Sequence, residues 1–174
     1  NIITTLGYFG KLKNMVLKYG DDWGKDVERQ TLRVVQNNYG RISNIFVSRN
    51  NGNAQSTYVI DRSAICYTNY ESGIIENFVV ELKDPLIATN YSAGVCVYNK
   101  GTIRNGYIYG KPVRMTPQAA ITEEQYSVNT YLSSVVSINR PSGIIENVYS
   151  LIDVETRPVK SSNDYAFLLA GIND

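Results

Sequence analysis

The chain has 174 residues, 43% of them hydrophobic, and its 17 basic and 16 acidic side chains leave a net charge of +1. That is enough apolar material for a single folded unit, and it excludes a disordered segment and the basic stripe of a nucleic-acid binder. The apolar runs are far too short to span a bilayer, so no membrane insertion is expected.

There is no His, which removes the commonest general base and metal ligand, and two cysteines cannot build a four-thiolate zinc site. No cofactor is expected. The chain opens at Asn1 without Met and without a basic, then apolar leader, and it reads as a mature or excised piece of something longer. Fourteen tyrosines against four phenylalanines suit half-buried β surfaces.

In chain order, the elements repeat. The pattern Gly-x-(Ile/Leu)-x-Asn occurs as "GKLKN" (10–14), "GRISN" (40–44), "GIIEN" (73–77), "GTIRN" (101–105) and "GIIEN" (143–147), with "SGIIEN" identical at 72–77 and 142–147. The glycines step by 30, 33, 28 and 42 residues. Ahead of every copy but the first lies an apolar run ending in Asn, namely Asn38, Asn69, Asn99 and Asn139. The final "FLLAGIND", with Asn173, reads as the opening of a sixth copy.

Aligned on these copies, the columns are apolar. Val34, Ile65, Val95, Val135 and Leu169 form one, and Val35, Cys66, Cys96, Val136 and Ala170 the next. After the glycine come Leu12, Ile42, Ile75, Ile103 and Ile145, then Met15, Ile45, Phe78, Gly106 and Val148, then Leu17, Val47, Val80, Ile108 and Ser150. Only Gly106 and Ser150 break the pattern. Branched apolar residues at spacing two, punctuated by Gly and Asn, predict strands.

Short strands recurring in like columns predict an all-β, right-handed parallel β-helix (β-solenoid) of about five to six coils, one repeat per coil and neighbours about 4.8 Å apart. The coils fall at 6–31, 32–61, 62–91, 92–130 and 131–165, with a partial one at 166–174. Asn14, Asn44, Asn77, Asn105 and Asn147 are expected to turn a corner in the left-handed conformation and to bond each other from coil to coil. The upstream asparagines mark a second corner beside Gly10, Gly40, Gly73, Gly101 and Gly143, which supply positive φ or close approach.

The run "AGVCVYNKGTIRNGYIYGKPV" (93–113) resembles the GLUG repeat of bacterial secreted and surface proteins, and weaker copies cover most of 6–174. The resemblance implies a β-helix within large extracellular proteins, including adhesins and the non-catalytic regions of IgA-specific metallopeptidases. It carries over corners and core and brings no active site.

Function is expected where the copies differ. The connecting segments 18–31, 48–61, 82–91, 110–130 and 151–165 all leave the coil at one place and are expected on one face. In the longest, Thr116-Pro117 predicts a short helix over 117–126. Candidate ligand-binding aromatics are Trp23 beside Asp21, Asp22 and Asp26, Tyr126 in the long segment, and Tyr107, Tyr109 and Tyr149, the first and last of which share a column. Aromatic ladders bind glycans and also stabilise sheets unaided.

Lys13, Ser43, Glu76, Arg104 and Glu146 form a mixed-charge column expected to lie exposed. Cys66 and Cys96, inward neighbours, are expected as free buried thiols. The favoured reading is a non-catalytic stalk or adhesive surface of a larger extracellular bacterial protein, whose partners are its own flanking domains and a host glycan or protein. The alternatives are a glycan-active tailspike or lyase β-helix and a structural phage or capsid fibre. Uncovered strand edges at the two ends predict end-to-end self-association or a missing flanking domain, and trimeric self-association would favour the fibre reading.

Overall fold

In the computed structural model the described residues are 2–19, 33–49, 61–88, 90–115, 130–155, 164–167 and 169–173. Among them every regular element is a strand and every strand pairing is parallel. The helix expected at 117–126 lies outside the described residues, as do Trp23, Asp21, Asp22, Asp26 and Tyr126.

Four sheets form. The first stacks β1 (Ile3–Leu6), β3 (Val35–Asn38), β6 (Cys66–Asn69), β10 (Cys96–Asn99), β14 (Val136–Asn139) and β18 (Ala170–Asn173), in that order. The second stacks β2 (Lys11–Tyr19), β4 (Arg41–Arg49), β7 (Ile74–Leu82), β11 (Thr102–Gly110) and β15 (Ile144–Leu151). The third holds β8 (Leu86–Ala88), β12 (Val113–Met115) and β16 (Val154–Glu155). The fourth holds β5 (Asp61–Ser63), β9 (Tyr91–Ala93), β13 (Thr130–Ser133) and β17 (Asp164–Phe167). From β7 onward the chain visits the second, third, fourth and first sheets in turn, and each visit adds one strand beside the last. The third and fourth sheets lie partly within segments that the sequence presents as connections; their strands are two to four residues long, too short for a period-two pattern to declare itself.

The columns read from the sequence are the observed register. Leu12, Ile42, Ile75, Ile103 and Ile145 are successive partners, as are Met15, Ile45, Phe78, Gly106 and Val148, and then Leu17, Val47, Val80, Ile108 and Ser150. Inward positions at 12, 15 and 17 break strict alternation because the asparagine between the first two is left-handed, with φ of 56°, 54°, 51°, 52° and 51° at Asn14, Asn44, Asn77, Asn105 and Asn147. One such residue shifts the pleat by one, so the chain bends while keeping its apolar side inward. Asn accepts this conformation at lower cost than other residues with a Cβ. Gly106, the gap in its column, is filled by its neighbour: a Cβ there would overlap the Phe78 ring. At the far end Leu169 departs from its column, being 50% exposed where Val34, Ile65, Val95 and Val135 are fully buried.

Both corners carry amide ladders. Asn44, Asn77, Asn105 and Asn147 each donate Nδ2 to Oδ1 of the corner asparagine before them, at 3.1, 3.1, 3.3 and 3.4 Å, on the exposed surface. The upstream set is tighter and buried: Asn38 donates to Asn69 at 2.7 Å, Asn69 to Asn99 at 2.9 Å and Asn99 to Asn139 at 2.7 Å. In the first copy Leu6 takes the position beside Asn38. The ladder ends there without an orphaned acceptor, since Asn38 Oδ1 receives the Gly40 amide at 3.2 Å.

The motif glycines answer one of the two expected roles. None has positive φ; among the described residues the glycine that does is Gly110, at 115°. The others are required by close approach: a Cβ on Gly40 would meet the Gly10 and Gly7 carbonyls, and one on Gly101 the Gly73 and Tyr70 carbonyls. The corners also alternate. Asn38 and Asn99 reach their glycine through one residue, Tyr39 or Lys100, whereas Asn69 and Asn139 use three. Each longer corner closes with a turn bond, Gly73 N to Tyr70 O and Gly143 N to Arg140 O, both 2.7 Å. Its serine hydroxyl then caps the shorter corner beside it, Ser72 on Tyr39 O at 2.8 Å and Ser142 on Lys100 O at 2.7 Å.

Candidate binding surface

The outer face of the second sheet, beyond its asparagine bend, is the most distinctive surface. Val16, Phe46, Val79, Tyr107 and Tyr149 are successive partners there, so an apolar and aromatic row runs across all five strands. Val16 and Tyr149 stand well out, Phe46 and Val79 are half-buried, and exposure grows from 37% at Tyr107 to 69% at Tyr149. The row beside it reads Lys18, Ser48, Glu81, Tyr109 and Leu151. In that row Glu81 accepts hydrogen bonds from the Ser48 and Tyr109 hydroxyls. Partial burial, followed by the Glu81 charge and hydrogen bond, raises the Tyr109 phenol above its ordinary pKa.

Tyr107, Tyr109 and Tyr149 therefore come together, as their positions in the repeat suggest. Tyr107 and Tyr149 are in register, yet the ring contact of Tyr107 is with Tyr109, at 5.6 Å and tilted by 30°. Aromatic faces flanked by a carboxylate and a phenol suit ligands with apolar faces and many hydroxyls, while Ser48, buried, only anchors Glu81.

Two further aromatic groups escaped the sequence reading. At the upstream corner Tyr8, Tyr39 and Tyr70 lie in line, Tyr39 and Tyr70 stacked at 4.1 Å and 11°, with the Lys100 ammonium 5.3 Å from the Tyr70 ring and 3.8 Å from Glu71. Tyr39, Tyr70, Lys100 and Arg140 each follow an upstream asparagine directly, a column that was available to be read. The second group joins Tyr67, Tyr98, Tyr91 and Tyr131, the last two stacked at 5.5 Å and 9°, with the Arg33 guanidinium 4.7 Å over Tyr67. Its members lie on two sheets, so no single column reveals it.

The charged column is a correction. Glu76 is not exposed: its side chain retains 5% of its surface between Arg41 and Arg104. Arg41 binds Oε1 through Nε and Nη2, while Arg104 binds Oε2 through Nε at 2.9 Å and Nη2 at 2.7 Å. Burial opposes ionisation of Glu76, but the hydrogen bonds and charges of Arg104 and Arg41 outweigh it and hold the carboxyl below the usual glutamate range. Arg41 belongs to a different column, beside Ile74, which is why column reading missed the clamp.

Cys66 and Cys96 are partners in adjacent strands, both buried and unbonded. Burial, then the neighbouring thiol, pushes the Cys96 pKa well up. Among the described residues no group of three or more acidic, His or Cys side chains is placed to hold a metal, and no helix is long and apolar enough to cross a membrane. Comparison with protein-family models, curated proteins and solved structures gave no match.

Proposed function

We propose that the chain is a right-handed parallel β-helix of about five to six coils built from GLUG-type repeats, a non-catalytic extracellular segment of a larger bacterial surface or secreted protein that offers the outer face of its second sheet to a glycan or protein. The winding is supported by the cyclic visiting order of the four sheets and by unbroken parallel register across the six strands of the first. The hand follows from the crossover rule for parallel strands.

The binding role rests on one observation: the continuous outward row Phe46, Val79, Tyr107 and Tyr149, flanked by Glu81 and Tyr109. The non-catalytic reading draws on Glu76. A general acid must hold a proton near neutral pH, and a glutamate clamped by two guanidiniums stays ionised.

A glycan array probed with the soluble chain, beside an assay for sugar release from any hit, tests this reading. Binding without release, weakened at least tenfold in Tyr107→Ala and Tyr149→Ala, is the expected result. Release of sugar would point to the lyase or tailspike class. No binding to glycans or to host-surface proteins would leave a spacer or fibre element.

A further inference from the structure

Three turns of the fold are built alike. Gly10, Gly73 and Gly143 each donate an amide hydrogen bond to the carbonyl three residues earlier, at 2.8, 2.7 and 2.7 Å. The two residues at the tip of the turn are Glu71-Ser72 and Pro141-Ser142 in the later copies, but Tyr8-Phe9 in the first. The same turn therefore forms twice without aromatic tips. Phe9 is 98% exposed and Tyr8 69%, so the Phe9 ring adds nothing to the core. Tyr8 leans on Tyr39, 5.3 Å away and tilted by 40°, which holds the tip in a fixed shape. Two adjacent aromatic rings projecting into water are a feature that folding leaves unexplained.

The strand that leaves this tip is cationic. Lys11 and Lys13 of β2 are exposed on either side of Leu12, which packs against the core, so both lie on the outer face. Lys11 is paired with Arg41 of β4, whose carboxylate partner Glu76 is shared with Arg104, and that trio keeps a net positive charge. Residues 2–19 contain three lysines and no acidic side chain. The charge calls for an anionic partner, and the shape selects among anionic partners. A projecting Phe offers no polar handle and encloses nothing; it gains by entering a yielding apolar medium.

We propose that the Tyr8-Phe9 turn, with Lys11 and Lys13, is a peripheral docking site for an anionic lipid surface. Phe9 seats beneath the headgroups, Tyr8 keeps its hydroxyl at their level, and the two ammonium groups face lipid phosphates. Nothing spans the bilayer in this arrangement. The site is separate from the aromatic row beyond the asparagine bend, whatever that row binds.

The test is co-sedimentation of the full chain with vesicles of phosphatidylcholine containing phosphatidylglycerol, against vesicles of phosphatidylcholine alone, at low and high salt. Wild type, Phe9→Ser and the double variant Lys11→Gln/Lys13→Gln are compared, with a sulfated polysaccharide as an anion that has no apolar interior. All three positions are exposed, and thermal melts check that the variants fold. The expected result is binding to the anionic vesicles alone, reduced by salt. It should weaken roughly tenfold or more in Phe9→Ser and about fivefold for each lysine removed. Equal binding to both kinds of vesicle, or binding that Phe9→Ser leaves unchanged, would overturn the proposal. So would polysaccharide binding as tight as vesicle binding and indifferent to Phe9→Ser, which would assign the lysines to an acidic glycan. Absence of vesicle binding would overturn it too, and Phe9-dependent self-association in light scattering would then assign the tip to a second copy.

Discussion

Asn77 and Glu76 are sequence neighbours that show how differently two polar side chains serve one turn. Asn77 stands at φ 51° on the exposed amide ladder. If backbone conformation is its main contribution, Asn77→Gly should be close to neutral, while Asn77→Ala, which must place a Cβ in the left-handed region, should lose about 1–2 kcal/mol. Denaturant melts of both variants separate conformation from the ladder bonds; equal losses would assign the stability to the amides. Glu76 works through charge. Its folded pKa lies below its unfolded value, so its contribution is complete above the ordinary glutamate range and is lost as the pH falls through the lowered folded value. Glu76→Gln should cost about 2 kcal/mol at neutral pH, a charge-assisted network with two half-exposed arginines being worth no more, and should flatten the acid limb of the stability curve. A variant that keeps the wild-type acid limb would show that the clamp does not set it.

A strand of this protein is defined as much by its neighbours as by its own residues. Gly106 looks like a defect in β11, a residue that weakens strands by entropy and adds nothing to the core. Its column mate Phe78 explains it, since the ring occupies the space a side chain on Gly106 would need. Gly106→Ala should therefore be destabilising by about 1–3 kcal/mol through overpacking, and Phe78→Ala by about 3–5 kcal/mol through the cavity it leaves. Combined, the two should cost less than their sum, because each relieves the other's fault; additive losses in equilibrium unfolding would disprove the compensation.

For the whole molecule, the proposed β-helical winding implies modularity. Residues 70–99 run from just after one upstream asparagine to the next, and removing them joins Asn69 to Lys100 with every inward column in phase. The shortened chain should keep its β circular-dichroism spectrum and a cooperative, lower melt, since in a solenoid each circuit contacts only its neighbours. It should lose some stability locally as well, because the deletion brings two single-residue corners together and removes the Ser72 cap on Tyr39. Deleting residues 70–84 instead leaves the columns out of phase and should abolish the cooperative melt. If both deletions behave alike, the circuits are not separable units.

The sequence by itself determined the inward columns, the left-handed asparagines and both corners. These properties are local and repeat once per circuit, so a residue such as Ile75 or Asn105 declares its role by recurring. It also carried the pairing of Cys66 with Cys96, because equal positions in successive repeats become neighbours across strands. What only the tertiary structure decided depends on distances between unlike positions. Arg41 reaches Glu76 from another column, Tyr67 meets Tyr98 and Tyr91 across two sheets, and the glycines are small because a carbonyl of another circuit passes over them. Arg62 carries no repeat signal in the sequence, and only the structure shows it 8% exposed in β5 opposite the buried Ser92. Repetition reveals contacts between equals; side chains of different length and charge choose their partners only in three dimensions.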